Sequence, residues 1–180
     1  MKRVVTGHNA EGKSLFIDDG EPTRVVKLEN LPGIEMTELW ATDGVPILPI
    51  EHEDPTIPMS SFVPGIKGSR FAITRFPSMP ELTKALENGL DLDAFKKEYL
   101  EKVPGLAECH ESEDPAMHTT DTIDYDIILS GEIWLELDDG DKVHLKPGDC
   151  VIQNGTRHAW RNEGSEPCYM ASVLIGAERK

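Results

Sequence analysis

The chain has 180 residues, with 33 acidic side chains against 18 basic ones and a formal net charge of −15, and its 38% hydrophobic content suffices for one core at this length. The basic residues are scattered, so the acidic excess repels phosphate backbones and anionic membrane surfaces; neither a nucleic-acid nor a membrane partner is expected. No run approaches the ~20 apolar residues of a spanning helix, the N-terminus turns polar at once, and Cys109, Cys150 and Cys168 are too few and too widely spaced for a disulfide framework or a zinc knuckle, which together predict a reduced, cytoplasmic protein.

Taken in chain order, Lys2 to Thr6 and Lys13 to Ile17 read as two short strands around a polar turn, and Ile34 to Ala41 reads as a strand with a bulge. Residues 43–68 are dense in Pro and Gly and predict a long ordered loop. Ser69 to Phe76 alternates and predicts a strand. Helix is expected only in the middle, from Pro80 to Gly89 and from Leu92 to Lys102, closed by Pro104-Gly105. The acidic run from Glu108 to Asp114 reads as a solvated loop, placed where it could form a lid.

Beyond it the chain reads as short strands only: Thr122 to Leu129, Ile133 to Leu137, Lys142 to Leu145, Cys150 to Gln153, His158 to Trp160 and Cys168 to Ile175, with turns at Gly131, Gly140, Gly148 and Gly155. Strands without intervening helices predict an antiparallel sandwich or barrel. In an extended segment successive side chains alternate, so His118, Thr120, Thr122, Asp124 and Asp126 share one face. Such a face is either the solvent side of a sheet or the wall of a polar cavity; His158, followed by Trp160 on the same face of a later strand, favours the cavity. Tyr125 and Trp134 are assigned to packing, and His8, His52, His110 and His144, without partners at ligand spacing, to ordinary hydrogen-bonded roles. No nucleophile elbow, phosphate-cradling loop or zinc-protease helix is present.

The stretch His118-x-Thr120-x3-Asp124-x6-Gly131 resembles the first motif of the cupin superfamily, and Pro147-Gly148-Asp149 with Gly155-x2-His158-x3-Asn162 resembles the second. The likeness covers roughly residues 105–176, and the whole chain is similar to small single-domain bacterial cupins whose N-terminal strands add to the same barrel. It implies an all-β, antiparallel jelly-roll barrel with a short helical insertion. One structural domain is expected, in which residues 1–104 supply strands, loop and helices and residues 105–180 form the core carrying both motifs. The pattern departs from the family where Thr120, or in a shifted register Ala116, stands at an expected histidine, and where Asp124 replaces a glutamate.

Two imidazoles and one carboxylate remain, and the resemblance implies a divalent ion (Fe, Mn, Zn or Ni) held by His118, Asp124 and His158. Thr120, Thr122, Asp126 and Trp160 are the expected ligand-binding wall, and Asp124 with His118 the expected catalytic pair. The implied function is binding of a small polar organic molecule, with oxygenase, isomerase, decarboxylase or lyase chemistry at the metal. The alternatives are a metal-free binding or sensor protein without catalysis and, more narrowly, metal-free acid–base catalysis by Asp124 with His118. A homodimer is expected as well.

Overall fold

A computed structural model describes all 180 residues. The first hairpin pairs β1 (Arg3–His8) with β2 (Ser14–Gly20). Then come β3 (Arg24–Lys27), β4 (Glu35–Thr42) and β5 (Ser69–Phe76), the helices α1 (Met79–Glu87) and α2 (Leu92–Lys102), β6 (Met117–His118) and β7 (Thr122–Ser130). The chain ends with β8 (Ile133–Glu136), β9 (Lys142–Leu145), β10 (Cys150–Gln153), β11 (His158–Arg161) and β12 (Cys168–Gly176). A six-stranded antiparallel sheet in the order β10-β7-β12-β5-β4-β3 faces a four-stranded one in the order β6-β11-β8-β9. This is the expected all-β barrel with a helical insertion. The N-terminal part contributes differently from expectation: β3, β4 and β5 extend the large sheet, whereas β1 and β2 pair only with each other.

Alternation explains the strands, and in β7 it is inverted. Its inner residues are Thr122, Asp124, Asp126 and Ile128, all buried, while Ile123, Tyr125, Ile127 and Leu129 face outward and are exposed. A strand that turns its polar side inward must be lining something other than a hydrophobic core. β4 keeps its bulge, between Glu38 and Trp40, and Met36 and Glu38 ahead of it share the inward parity.

The helices start where local chemistry dictates. Ser78 and Glu81 form a reciprocal capping box at α1, and Asp91 caps α2 by accepting from the backbone N–H groups of Asp93 and Ala94. Glu98 of α2 accepts from the backbone N–H groups of Glu29 and Asn30 at 2.7 and 2.8 Å, which fastens the helix to the turn before β4. Phe95, Tyr99 and Leu106 then pack on a cluster of Leu28, Met36, Met59, Phe62 and Val103. At the other end Ile128, Ile133, Leu135, Leu145 and Met170 close the space between the two sheets. Residues 43–68 hold no helix or strand, as expected, and half-buried Arg24 and buried Arg70 supply donors to their carbonyls. Arg24 donates to Thr56 and Met59, and Arg70 to Ser61.

Candidate functional site

Between the two apolar clusters lies a cavity of about 370 Å³. Sixteen of its 29 lining residues are hydrophobic, so it suits a molecule with an apolar body rather than a wholly polar one. α1, α2 and the turn between them cover one side with Leu82, Leu90, Phe95 and Tyr99, which gives the helical insertion its role as a cap.

The polar part of the wall starts from strand pairing. His118 on β6 is the direct cross-strand neighbour of His158 on β11, and His110 bridges to His118 from the other side. Side chains at paired positions stand beside one another, and the three rings form a row, His110 stacked on His118 at a centroid separation of 4.4 Å and His118 tilted against His158 at 4.2 Å. Each Nδ1 faces a backbone carbonyl: Pro115 for His110 at 2.8 Å, Ala116 for His118 at 3.1 Å and Thr156 for His158 at 2.9 Å. A carbonyl only accepts, so Nδ1 carries the proton and Nε2 keeps its lone pair in the neutral ring. The Tyr99 hydroxyl takes up the Nε2 of His110 at 3.1 Å, whereas those of His118 and His158 have no hydrogen-bond partner. Burial, with the neighbouring imidazole second, pushes His118 and His158 down to about 4, so both rings are neutral near pH 7.

The carboxyl groups come from the facing sheet. Across its inner surface Glu38 pairs with Ala72, Ala72 with Ser172 and Ser172 with Asp126, so these four side chains form one row over β4, β5, β12 and β7. The next row brings Arg70, Leu174 and Asp124 together. Ser172 donates to Asp126 Oδ1 at 2.6 Å. Asp124 Oδ1 and Glu38 Oε2 are buried without any partner. Burial raises Asp124 to about 6 and, against the Ser172 bond, Asp126 to about 7. Burial likewise raises Glu38 to about 7 despite the charges of Arg24 and Arg70.

Of the side chains expected at the site, His118, Thr120, Asp124, Asp126, His158 and Trp160 all line this cavity. Thr122 does not: it is fully buried behind the wall, and its hydroxyl shares a 2.8 Å hydrogen bond with that of Thr120. His118 and Asp124 do not share one strand face either. The chain leaves β6 after His118 and enters β7 at Thr122, crossing from the small sheet to the large one, so the imidazole and the carboxyl approach the cavity from opposite walls.

That crossing bears on the expected metal. His118 and His158 have the donor chemistry of ligands, with Nδ1 held and Nε2 free. Convergence is missing, because no three His, Cys, Asp or Glu side chains lie together in a way that could hold an ion. The side chains as arranged do not fit a three-ligand centre: Thr120 and Ala116, the two positions for an expected histidine, carry no imidazole, and the short Asp124 projects from the other sheet.

Two wall residues escaped the sequence reading. His110 lies in a loop, and only its bridge to His118 brings it to the site. Glu38 offered one signal, its shared parity with Met36 on a strand otherwise apolar inward. The acidic run carrying His110 is tied to β11 and to the residue before it, through Asp114–Arg161 and Glu111–Arg157 ion pairs. No helix is long and apolar enough to cross a membrane.

Comparison with known proteins agrees with this architecture. Residues 106–174 match the cupin domain family Cupin_2. Oryzines biosynthesis cluster protein J of Aspergillus oryzae is 31% identical over 153 residues, covering 77% of this chain and 78% of its own. Phomopsin biosynthesis cluster protein C' of Diaporthe leptostromiformis is 28% identical over 99% of this chain and 78% of its own. Cupin-domain-containing oxidoreductase fogC of Aspergillus ruber is 24% identical over 96% of this chain and 71% of its own. These relatives are fungal, and the likeness is to the superfamily as a whole. By its motifs, its barrel and this likeness, the chain belongs to the cupin superfamily.

Proposed function

We propose that the chain is a small-molecule enzyme that encloses an organic substrate with an apolar body in its barrel and performs proton-transfer chemistry on it with Asp124, His118 and His158. One observation carries the reading: a largely apolar cavity whose polar wall presents Asp124 Oδ1 and two imidazole Nε2 atoms with no partner inside the protein. Unsatisfied buried polar atoms cost stability, and a protein keeps them where a ligand completes them. Asp124 Oδ1 would take a C–H proton from the substrate and return it, and the Nε2 lone pairs would accept a hydrogen bond from a substrate hydroxyl. These steps use only side chains of this chain. The names of the relatives, two of them biosynthesis-cluster proteins, support a substrate drawn from small-molecule biosynthesis.

A suitable test uses 4-hydroxyphenylacetone in deuterium oxide, following exchange of its acidic C–H protons by NMR. The reading expects exchange well above the buffer rate, lowered on the order of 100-fold in Asp124→Asn and unaffected by EDTA. Absence of binding contradicts it, binding without exchange favours the non-catalytic alternative, and loss of exchange with EDTA assigns the chemistry to a bound ion. The name oxidoreductase carried by a relative favours a second reading, in which the same groups relay protons for a redox step and an added co-oxidant is consumed. The outward row of Ile123, Tyr125, Ile127 and Leu129 supports the expected homodimer, and a monomeric mass in sedimentation equilibrium would remove that support.

A further inference from the structure

Glu38 has no assigned role in the chemistry above, and its environment is unusual for a structural acid. Its residue is only 1% exposed, and its Oε2 has no hydrogen-bond partner. The two nearest cations do not bind it. Arg24 is turned to the carbonyls of Thr56 and Met59, and Arg70 to those of Ser61, Thr42 and Ser69 and to Asp43. Neither arginine forms an ion pair with Glu38; the only one made by either is Arg70 with Asp43. A buried acid kept for structure is paired or bonded. This one instead lines the cavity.

Its position in the sheet indicates what it faces. In the row Glu38, Ala72, Ser172, Asp126, the neighbour of Glu38 is the smallest side chain of the four, so there is open space above Ala72 beside the carboxyl. At about 4.8 Å per strand, three spacings separate the backbones of Glu38 and Asp126 by roughly 14 Å. Glu38 therefore stands at one end of the cavity's polar floor, with the aspartates at the other. The unpartnered atoms of the wall, Glu38 Oε2, Asp124 Oδ1 and the Nε2 atoms of His118 and His158, are acceptors when the acids are ionised. A ligand that completes them must bring hydrogen-bond donors, and an anionic ligand meets like charge at both ends.

We propose that Glu38 is a second anchor of the ligand site, and that the ligand is an uncharged or cationic compound carrying hydroxyl or amine donors at two ends of an apolar body. The inference rests on the proposed binding of an organic substrate in this cavity and adds its chemical class. Glu38 takes the donor far from the aspartates, and the apolar body of the ligand meets Met36, Phe62 and Phe95.

The test compares three molecules of one skeleton, 1,4-cyclohexanedimethanol, cyclohexanemethanol and 1,4-cyclohexanedicarboxylate, by NMR titration at pH 8.5, where the wall acids are ionised, of the wild-type chain, Glu38→Leu and Glu38→Gln. The diol should bind wild type about tenfold or more tighter than the mono-alcohol, as expected for one added hydrogen bond to a charged group. The dicarboxylate should bind more weakly than the mono-alcohol. Glu38→Leu should erase the preference for the diol while retaining mono-alcohol affinity, and Glu38→Gln should reduce the preference at least threefold, so a folding failure of one variant leaves the other to decide. Equal affinities of diol and mono-alcohol in wild type, tighter binding of the dicarboxylate, or a preference that survives in either variant would overturn the proposal while leaving the cavity reading intact. No binding of any of the three overturns both.

Discussion

Replacing Glu38 by Gln should make the protein more stable at alkaline pH and leave it nearly unchanged in acid. Burial moves the Glu38 carboxyl from the ordinary 4.5 up to about 7 in the folded chain. Between these values the folded state binds more protons than the unfolded state, so wild-type stability falls as pH rises through that window. The full gap corresponds to about 3 kcal/mol, an upper figure because the burial penalty relaxes in real proteins. A glutamine of the same shape does not titrate. The difference between variant and wild type should thus be close to zero below pH 4.5 and reach its full size above pH 8. Urea unfolding at pH 4.5 and pH 8.5 reads it directly, with a midpoint shift of about 1 to 2 M at the higher pH and an unchanged slope. Groups common to both proteins cancel in the difference. A Glu38→Gln effect of the same size at both pH values, or a loss of stability at pH 8.5, would refute the reasoning, since it would mean the carboxyl is bonded and structural.

Other outcomes follow from particular contacts. Ala72→Leu fills the space beside Glu38 and should abolish binding of the diol with the circular dichroism spectrum unchanged. Gly131 sits at φ 74°, and a Cβ there would lie 2.3 Å from the Pro167 carbonyl oxygen; Gly131→Ala should cost more than about 2 kcal/mol in urea unfolding. Arg3 is buried and holds the Leu39 carbonyl, Asp18 and Asp54, so Arg3→Ala should destabilise by about 3 kcal/mol. Burial by itself would raise Asp54, yet bonds from Arg3, Thr23 and Thr56 win and hold it well below the usual carboxylate range. Its contribution is present above about pH 4 and lost as acid titrates it, so the wild type should lose more stability below pH 4 than Arg3→Ala does.

The sequence made most of the barrel readable, because alternation and turn glycines are local signals. Ser69–Phe76, both helices and the run of strands after Thr122 fall where those signals put them. The inward polar face of β7 was readable for the same reason, although parity could not say that the face was enclosed rather than solvated. Parity failed across residues 119–121, where the chain changes sheets: the pairing of His118 with His158 is a long-range event that no local pattern encodes. His110 and Glu38 were hidden for a related reason. Each becomes part of the site only through a cross-strand neighbour, His118 in one case and Ala72 in the other. The carboxyl was also easy to take for a solvent-facing member of an alternating strand. The chemistry of the wall was therefore legible as residue types, whereas which groups converge was decided by register.

Ligand binding in this cavity requires the two imidazoles to be neutral with Nε2 free. Long-range ¹⁵N–¹H correlation spectra of the histidines at pH 6, recorded with and without 1,4-cyclohexanedimethanol, test this directly. Since burial holds both rings near 4, His118 and His158 should be uncharged at pH 6, protonated on Nδ1, with Nε2 resonances that shift on addition of the diol. Rings that are charged at pH 6, protonated on Nε2, or indifferent to the diol would contradict the account.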